Sequence, residues 1–149
     1  MPLADFSLRS AEERDAKAIR DLIHRVQINP MGLDWHHFVL AVDKSGGILG
    51  CGQLKPHGSD ILELASIAVE PRFRKQGIAR AVIEHLISQA PRPLYLTCLS
   101  SMGSFYEKWG FHEVGADDMP AYFRRLVRLT SLMPALVGRG ERLLVMKLL

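Results

Sequence analysis

The chain has 149 residues, 48% of them hydrophobic and 23% charged, with a formal net charge of +3. Length and balance suit one folded α/β domain spanning 1–149, with a real core and no repeat or low-complexity tract. No basic run carries interleaved aromatics, no apolar run is long enough for a bilayer, and the N-terminus lacks a signal-peptide core, so we expect no nucleic acid, no membrane and a cytoplasmic location.

Phe6–Arg9 reads as a short first strand. Ser10-Ala-Glu-Glu13 fits a capping box, and Ala16, Ile19, Leu22, Ile23 and Val26 then mark one face of a helix. Asn29-Pro-Met-Gly-Leu-Asp34 breaks that helix and begins a loop. Phe38–Val42 and Ile48–Leu54 read as a hairpin about the turn Asp43–Gly47, and Lys55–Ser59 turns the chain again. Asp60–Val69 is a longer strand. Apolar residues recur at helical spacing at Ala79, Val82, Ile83, Leu86, Ile87 and Ala90, and Pro91 and Pro93 end the pattern. Leu94–Cys98 is a strand, Met102–Trp109 a short helix with Gly110 as its cap, and Phe111–Val114 another strand. Asp118–Leu132 is helical, with Pro120 in its first turn. Tyr122, Phe123, Leu126 and Val127 fall on one side of it, and Arg124, Arg125 and Arg128 on the other. Leu143–Leu148 closes the chain as a strand. The pattern predicts a mixed α/β sheet with helices on its faces and a helical insertion at about 118–134.

Cys51 and Cys98 sit in apolar, strand-like runs without metal-ligand spacing, so they read as buried free thiols, and no metal is expected. His36 and His37 precede a strand and read as loop residues or acceptor contacts. His57, His85 and His112 show no partner spacing.

The densest signal lies between Ile67 and Ala79. A strand ends at Val69, a basic loop with one glycine follows, and a helix begins at once. Such a turn offers free backbone N–H groups and the positive end of a helix dipole to a phosphate, and glycine lets the main chain approach it. The Walker and dinucleotide glycine patterns are absent. What is present is Arg74-x-x-Gly77-x-Ala79, with Val69-Glu70-Pro71 before it, Glu63 six residues ahead of Val69, and Phe105-Tyr-Glu-Lys-Trp-Gly-Phe111 downstream. Together these resemble the coenzyme A motif and the downstream signature of the GNAT (general N-acetyltransferase) superfamily, over roughly residues 6–114.

The resemblance implies a GNAT-like acyl-CoA N-acyltransferase fold and direct transfer of acetyl from acetyl-CoA to a primary amine. It implies that Arg74, Lys75, Gln76, Gly77, Ile78 and Ala79 cradle the pyrophosphate, mainly through main-chain N–H groups. Ile67, Ala68 and Val69 would line the pantetheine arm, with a polarising N–H near Ile67. Tyr106 would be the general acid toward the sulfur and Glu63 the general base. Many relatives carry an asparagine about seven residues before the tyrosine. Here Leu99–Ser104 has none, and Ser101 or Ser100 would supply a hydroxyl instead. Read on residues alone, Tyr106 is rather a core aromatic beside Phe105 and Trp109, and Glu63 equally a partly solvated strand glutamate or an acceptor-binding carboxylate. A non-catalytic acyl-CoA sensor would carry the same loop. The acceptor is a small-molecule amine or a peptide or protein amine, and the protein a monomer or homodimer.

Overall fold

The computed structural model describes residues 5–149, which divide into two compact units: the chain up to Lys55 together with Leu64–Ala90, and Pro56–Glu63 together with Pro91–Leu149. In the first unit β1 (Ser7–Ser10) pairs antiparallel with β2 (Phe38–Val42), and β2 pairs antiparallel with β3 (Ile48–His57) through a bulge between Ala41 and Val42. β4 (Ile61–Val69) follows β3 in the strand order. Every residue of β2 is buried, as befits a strand covered on both faces. Phe38, Leu40 and Val42 join Ile19, Leu22 and Ile23 of α1 (Ala16–Val26) in one cluster. Each buried aliphatic side chain there contributes about 1.5–3 kcal/mol. α2 (Ile78–Gln89) packs its buried face of Ile78, Val82, Ile83 and Leu86 where β3 is bare. A Cβ on Gly50 would come within 2.8 Å of Ile78, and one on Gly52 within 2.7 Å of Val82.

In the second unit β4 pairs parallel with β5 (Leu94–Leu99) at Glu63↔Tyr95. β5 pairs antiparallel with β7 (Leu143–Leu148), and β7 with the two-residue β6 (His112–Glu113). α3 (Gly103–Glu107) follows β5, and Gly110 closes the following turn at φ 95°, as its sequence position predicts. α4 (Ala121–Leu132) lies before β7 and buries Phe123 against Tyr95, Val114, Met119 and Val145. Among the described residues no helix is long and apolar enough to cross a membrane.

Several boundaries differ from the sequence reading. Ser10 is the last residue of β1, paired with Val39, so it does not cap a helix. The box lies two residues on: Asp15 accepts the Glu12 N–H at 2.7 Å, and the Arg9 guanidinium holds that carboxylate by two hydrogen bonds of 2.8 and 3.0 Å. Pro120 stands just before α4 rather than inside its first turn. The strand predicted to stop at Leu54 runs on to His57, straight through Pro56. Cys51 is buried as expected, but Cys98 is only partly so.

Candidate functional site

In the first unit the site begins with a disturbance in β4. Ser66 takes φ 59° in the middle of an extended strand, the backbone state of a bulge residue. Buried Gln53 fixes it: one amide nitrogen donates to the Ser66 hydroxyl at 2.8 Å and to the Gly32 carbonyl at 3.2 Å. Lys55 donates to the neighbouring Met31 carbonyl at 2.9 Å, so two β3 side chains hold the loop after α1. Within that loop Asp34 accepts from the His36 backbone and lies 2.7 Å from its ring, which stacks on Trp35.

Past the bulge come Ile67, Ala68 and Val69, and then the loop. Glu70 anchors its start, donating its N–H to Leu49 and pairing with Arg25 of α1 at 2.8 Å. Pro71–Phe73 form one 3-10 turn. Arg74 and Lys75 are exposed, and Lys75 and Gly77 both take left-handed φ, 64° and 81°. Ile78, 1% exposed, seats the first turn of α2 on the bare strand, and Ala79 follows. Nothing lies within 4 Å of where a Cβ on Gly77 would stand. The glycine therefore avoids no protein atom; it supplies the left-handed turn and leaves space beside the first N–H groups of the helix, which have no partner within it. Loop and helix thus have the strand–turn–helix form that the spacing predicts, with a left-handed glycine at the junction.

In the second unit Glu63 is almost fully buried. Its Oε1 lies 2.6 Å from His57 Nε2, and the Thr97 hydroxyl of β5 donates to its Oε2 at 3.4 Å. His57 stacks on Tyr122 of α4, centroids 3.9 Å apart and 24° between planes, with Phe123 edge-on at 5.9 Å. Burial pushes the Tyr122 phenol up, and the Glu63 charge adds to it. The reading of His57 as a residue without a partner is therefore corrected. Its partner lies six positions on, across the turn that the extra strand residues create. The sequence points to that pairing only if the strand is carried through Pro56.

Tyr106 lies on α3 among Phe105, Trp109 and Phe111. Burial pushes its phenol up to about 12, with Cys98 adding to the shift. The Cys98 thiol is itself raised to about 11, by burial and then by Glu113 and Glu141. Ser101 is exposed and its hydroxyl donates to Glu141 at 3.0 Å, while Ser100 Oγ accepts the Arg142 N–H at 3.1 Å. Both serines thus tie the start of α3 to the approach to β7.

The acetyltransferase (GNAT) domain family matches residues 34–113, more than half of the chain. An amino-acid acetyltransferase of Mycobacterium tuberculosis is 29% identical over 119 residues, covering 70% of this chain and 68% of the relative. The solved N-acetylglutamate synthase of Neisseria gonorrhoeae, complexed with coenzyme A and N-acetyl-glutamate, superposes with a TM-score of 0.74 at 22% identity over 99% of this chain. The chain spans only 36% of that synthase. A Mycobacterium tuberculosis structure in complex with CoA superposes with a TM-score of 0.69 at 22% identity, covering 96% of this chain and 99% of the other. At these identities the two structures speak for the fold. The family match speaks for membership: the chain belongs to the GNAT acetyltransferase family, and it is an enzyme that moves an acetyl group from acetyl-CoA to an amine.

Proposed function

We propose that the enzyme acetylates a primary amine by direct attack on acetyl-CoA, with both units serving one catalytic domain and the α-amine of an amino acid as the first acceptor class. The observation that carries this reading is the Gly77 turn: a left-handed residue with open space above it, at the start of a helix reached from β4 through a short basic loop. The residues fit the coenzyme. Arg74 and Lys75 offer exposed cations for its phosphates, and the main chain of Gln76, Gly77, Ile78 and Ala79 offers N–H donors. Ile67, Ala68 and Val69 follow the bulge and would pair with the pantetheine arm, the Ile67 N–H polarising the thioester carbonyl. Ser101 would contribute only on leaving Glu141.

Tyr106 would face the leaving sulfur. A phenol near 12 keeps its proton at every physiological pH. Full transfer to a thiolate whose thiol titrates near 8.5 is uphill by about 5 kcal/mol. Tyr106 therefore acts as a hydrogen-bond donor to the departing thiolate rather than as a proton source. Glu63 heads the basic side of the site. The amino-acid acceptor is favoured by the likeness to the amino-acid acetyltransferase of Mycobacterium tuberculosis. Two free thiols fit a reducing, cytoplasmic setting, and the chemistry needs neither nucleic acid nor membrane and runs in a monomer or homodimer.

The test is thermal stabilisation by acetyl-CoA, followed by thiol release with each common L-amino acid. Saturable stabilisation and CoA release above hydrolysis are expected. A folded protein that acetyl-CoA does not stabilise would overturn the reading.

A further inference from the structure

We infer that His57 receives the proton of the acceptor amine, and that Glu63 is the positioning residue that holds its ring; the inference rests on the transferase reading above. Both oxygens of Glu63 are engaged, Oε1 by His57 at 2.6 Å and Oε2 by Thr97 at 3.4 Å, and its side chain is only 8% exposed. Each oxygen of this enclosed carboxylate already holds a partner, so its role is read as orienting the ring. The ring it holds is the natural relay. An ionised Glu63 accepts from Nε2–H, which leaves the lone pair of the neutral imidazole on Nδ1. The same division of labour, a buried carboxylate fixing an imidazole that moves the proton, operates in hydrolytic triads.

Two further observations favour a working pair over a structural one. A carboxylate buried against an imidazole is on balance a poor source of stability, and apolar residues of the same volume would serve the core as well. The ring is also clamped from a second direction: Tyr122 covers one face and Phe123 meets it edge-on. The helical insertion thus brings two aromatic rings onto a single histidine. The titratable groups around it are Glu63 and Tyr122. Tyr95 stands opposite Glu63 in the ladder and carries the Lys147 ammonium 5.7 Å from its own ring.

The proton and electron count closes. The acceptor ammonium gives one proton to Nδ1, which passes it to solvent. The amine lone pair forms the C–N bond, and the thioester carbonyl becomes an oxyanion. As that oxyanion collapses the C–S bond breaks, and the thiolate leaves against the Tyr106 hydroxyl. The second proton lost by nitrogen completes the thiol.

The test has a readout independent of turnover. Nitrogen-15 NMR of the wild-type imidazoles should show the neutral His57 ring protonated at Nε2. His57→Ala and His57→Gln should keep their stabilisation by acetyl-CoA but lose at least 100-fold in turnover with the best amino acid of the panel. Added imidazoles should restore the alanine variant, faster as their basicity rises. Glu63→Gln can present an amide N–H to Nε2 and let the ring take the other tautomer, so it should lose turnover at least 100-fold while keeping its stabilisation by acetyl-CoA. A neutral ring protonated at Nδ1 would overturn the proposal. So would turnover within threefold of wild type in both His57 variants, or a 100-fold loss in Glu63→Gln with His57→Gln active. A wild type that binds acetyl-CoA but turns over no amine would overturn the transferase reading, and the proposal with it.

Discussion

Replacing Gly77 by alanine separates a ligand cradle from an ordinary turn. Gly77 has φ 81° and no atom within 4 Å of where a Cβ would stand, so the methyl meets no protein atom. The cost to the free enzyme is the left-handed backbone alone, roughly 1–2 kcal/mol. For a chain of this size that lowers Tm by about 2–8 °C. Gly46 provides the control: it has φ 88° in the turn between β2 and β3 and equally empty surroundings. Gly46→Ala should lose the same unliganded stability. The two variants part when acetyl-CoA is added. At about a hundredfold excess over Kd a ligand stabilises by about 2.7 kcal/mol, and a tenfold loss of affinity removes about half of that. Scanning calorimetry with and without acetyl-CoA should therefore show the ligand-induced shift roughly halved in Gly77→Ala and intact in Gly46→Ala. Equal ligand-induced shifts in the two variants would refute the assignment of this loop to the coenzyme.

Tyr106→Phe should keep acetyl-CoA affinity and lower kcat about 10- to 150-fold, the worth of a hydrogen bond to a charged group. Because the phenol is held at about 12, wild-type kcat should show no loss from its ionisation up to pH 10, which a pH–rate profile checks. Cys98→Ala should stay within threefold of wild-type turnover and mass spectrometry should find no acylated enzyme, since a thiol at about 11 is almost wholly protonated at neutral pH. Asp15→Asn tests the box at the start of the fold. The Arg9 hydrogen bonds hold the Asp15 carboxyl below its ordinary range, so its contribution is complete above about 3.9 and fades as pH falls through the lowered folded value. The wild-type advantage in denaturant titrations should be constant above about pH 5 and shrink in acid; an advantage that grows in acid would contradict the sign.

Much of the loop proposed to hold the cofactor was legible because it is written locally. Strand, basic loop and helix follow one another within Ile67–Gln89, and a single glycine at the junction states the backbone conformation it needs. The basic side was not legible, because its partners meet only in three dimensions. His57 sits after a proline, which argues for a turn, yet β3 continues to it. Tyr122 arrives from a helix far later in the chain, and no local pattern ties it to a histidine. The bulge at Ser66 was equally hidden: serine carries no sequence mark of a left-handed residue, and its stabiliser Gln53 lies on the neighbouring strand. The displaced capping box has the same origin, since Asp15 is chosen over Glu13 by Arg9 in β1.

The bare stretch of β3 has a consequence for anyone redesigning this enzyme. Gly50 and Gly52 let α2 settle directly on the strand, so the height of that helix is set by the strand beneath it. A methyl on Gly52 would stand 2.6 Å from Ile67, 2.7 Å from Val82 and 3.0 Å from Leu86, so Ile67 as well as the helix would have to give, and the helix's first N–H groups would shift with it. Such a variant would present itself in kinetics as a coenzyme defect, a raised KM for acetyl-CoA at nearly unchanged kcat. Libraries that vary acyl-donor preference should therefore treat these two positions as part of the foundation of the proposed donor site and leave them alone.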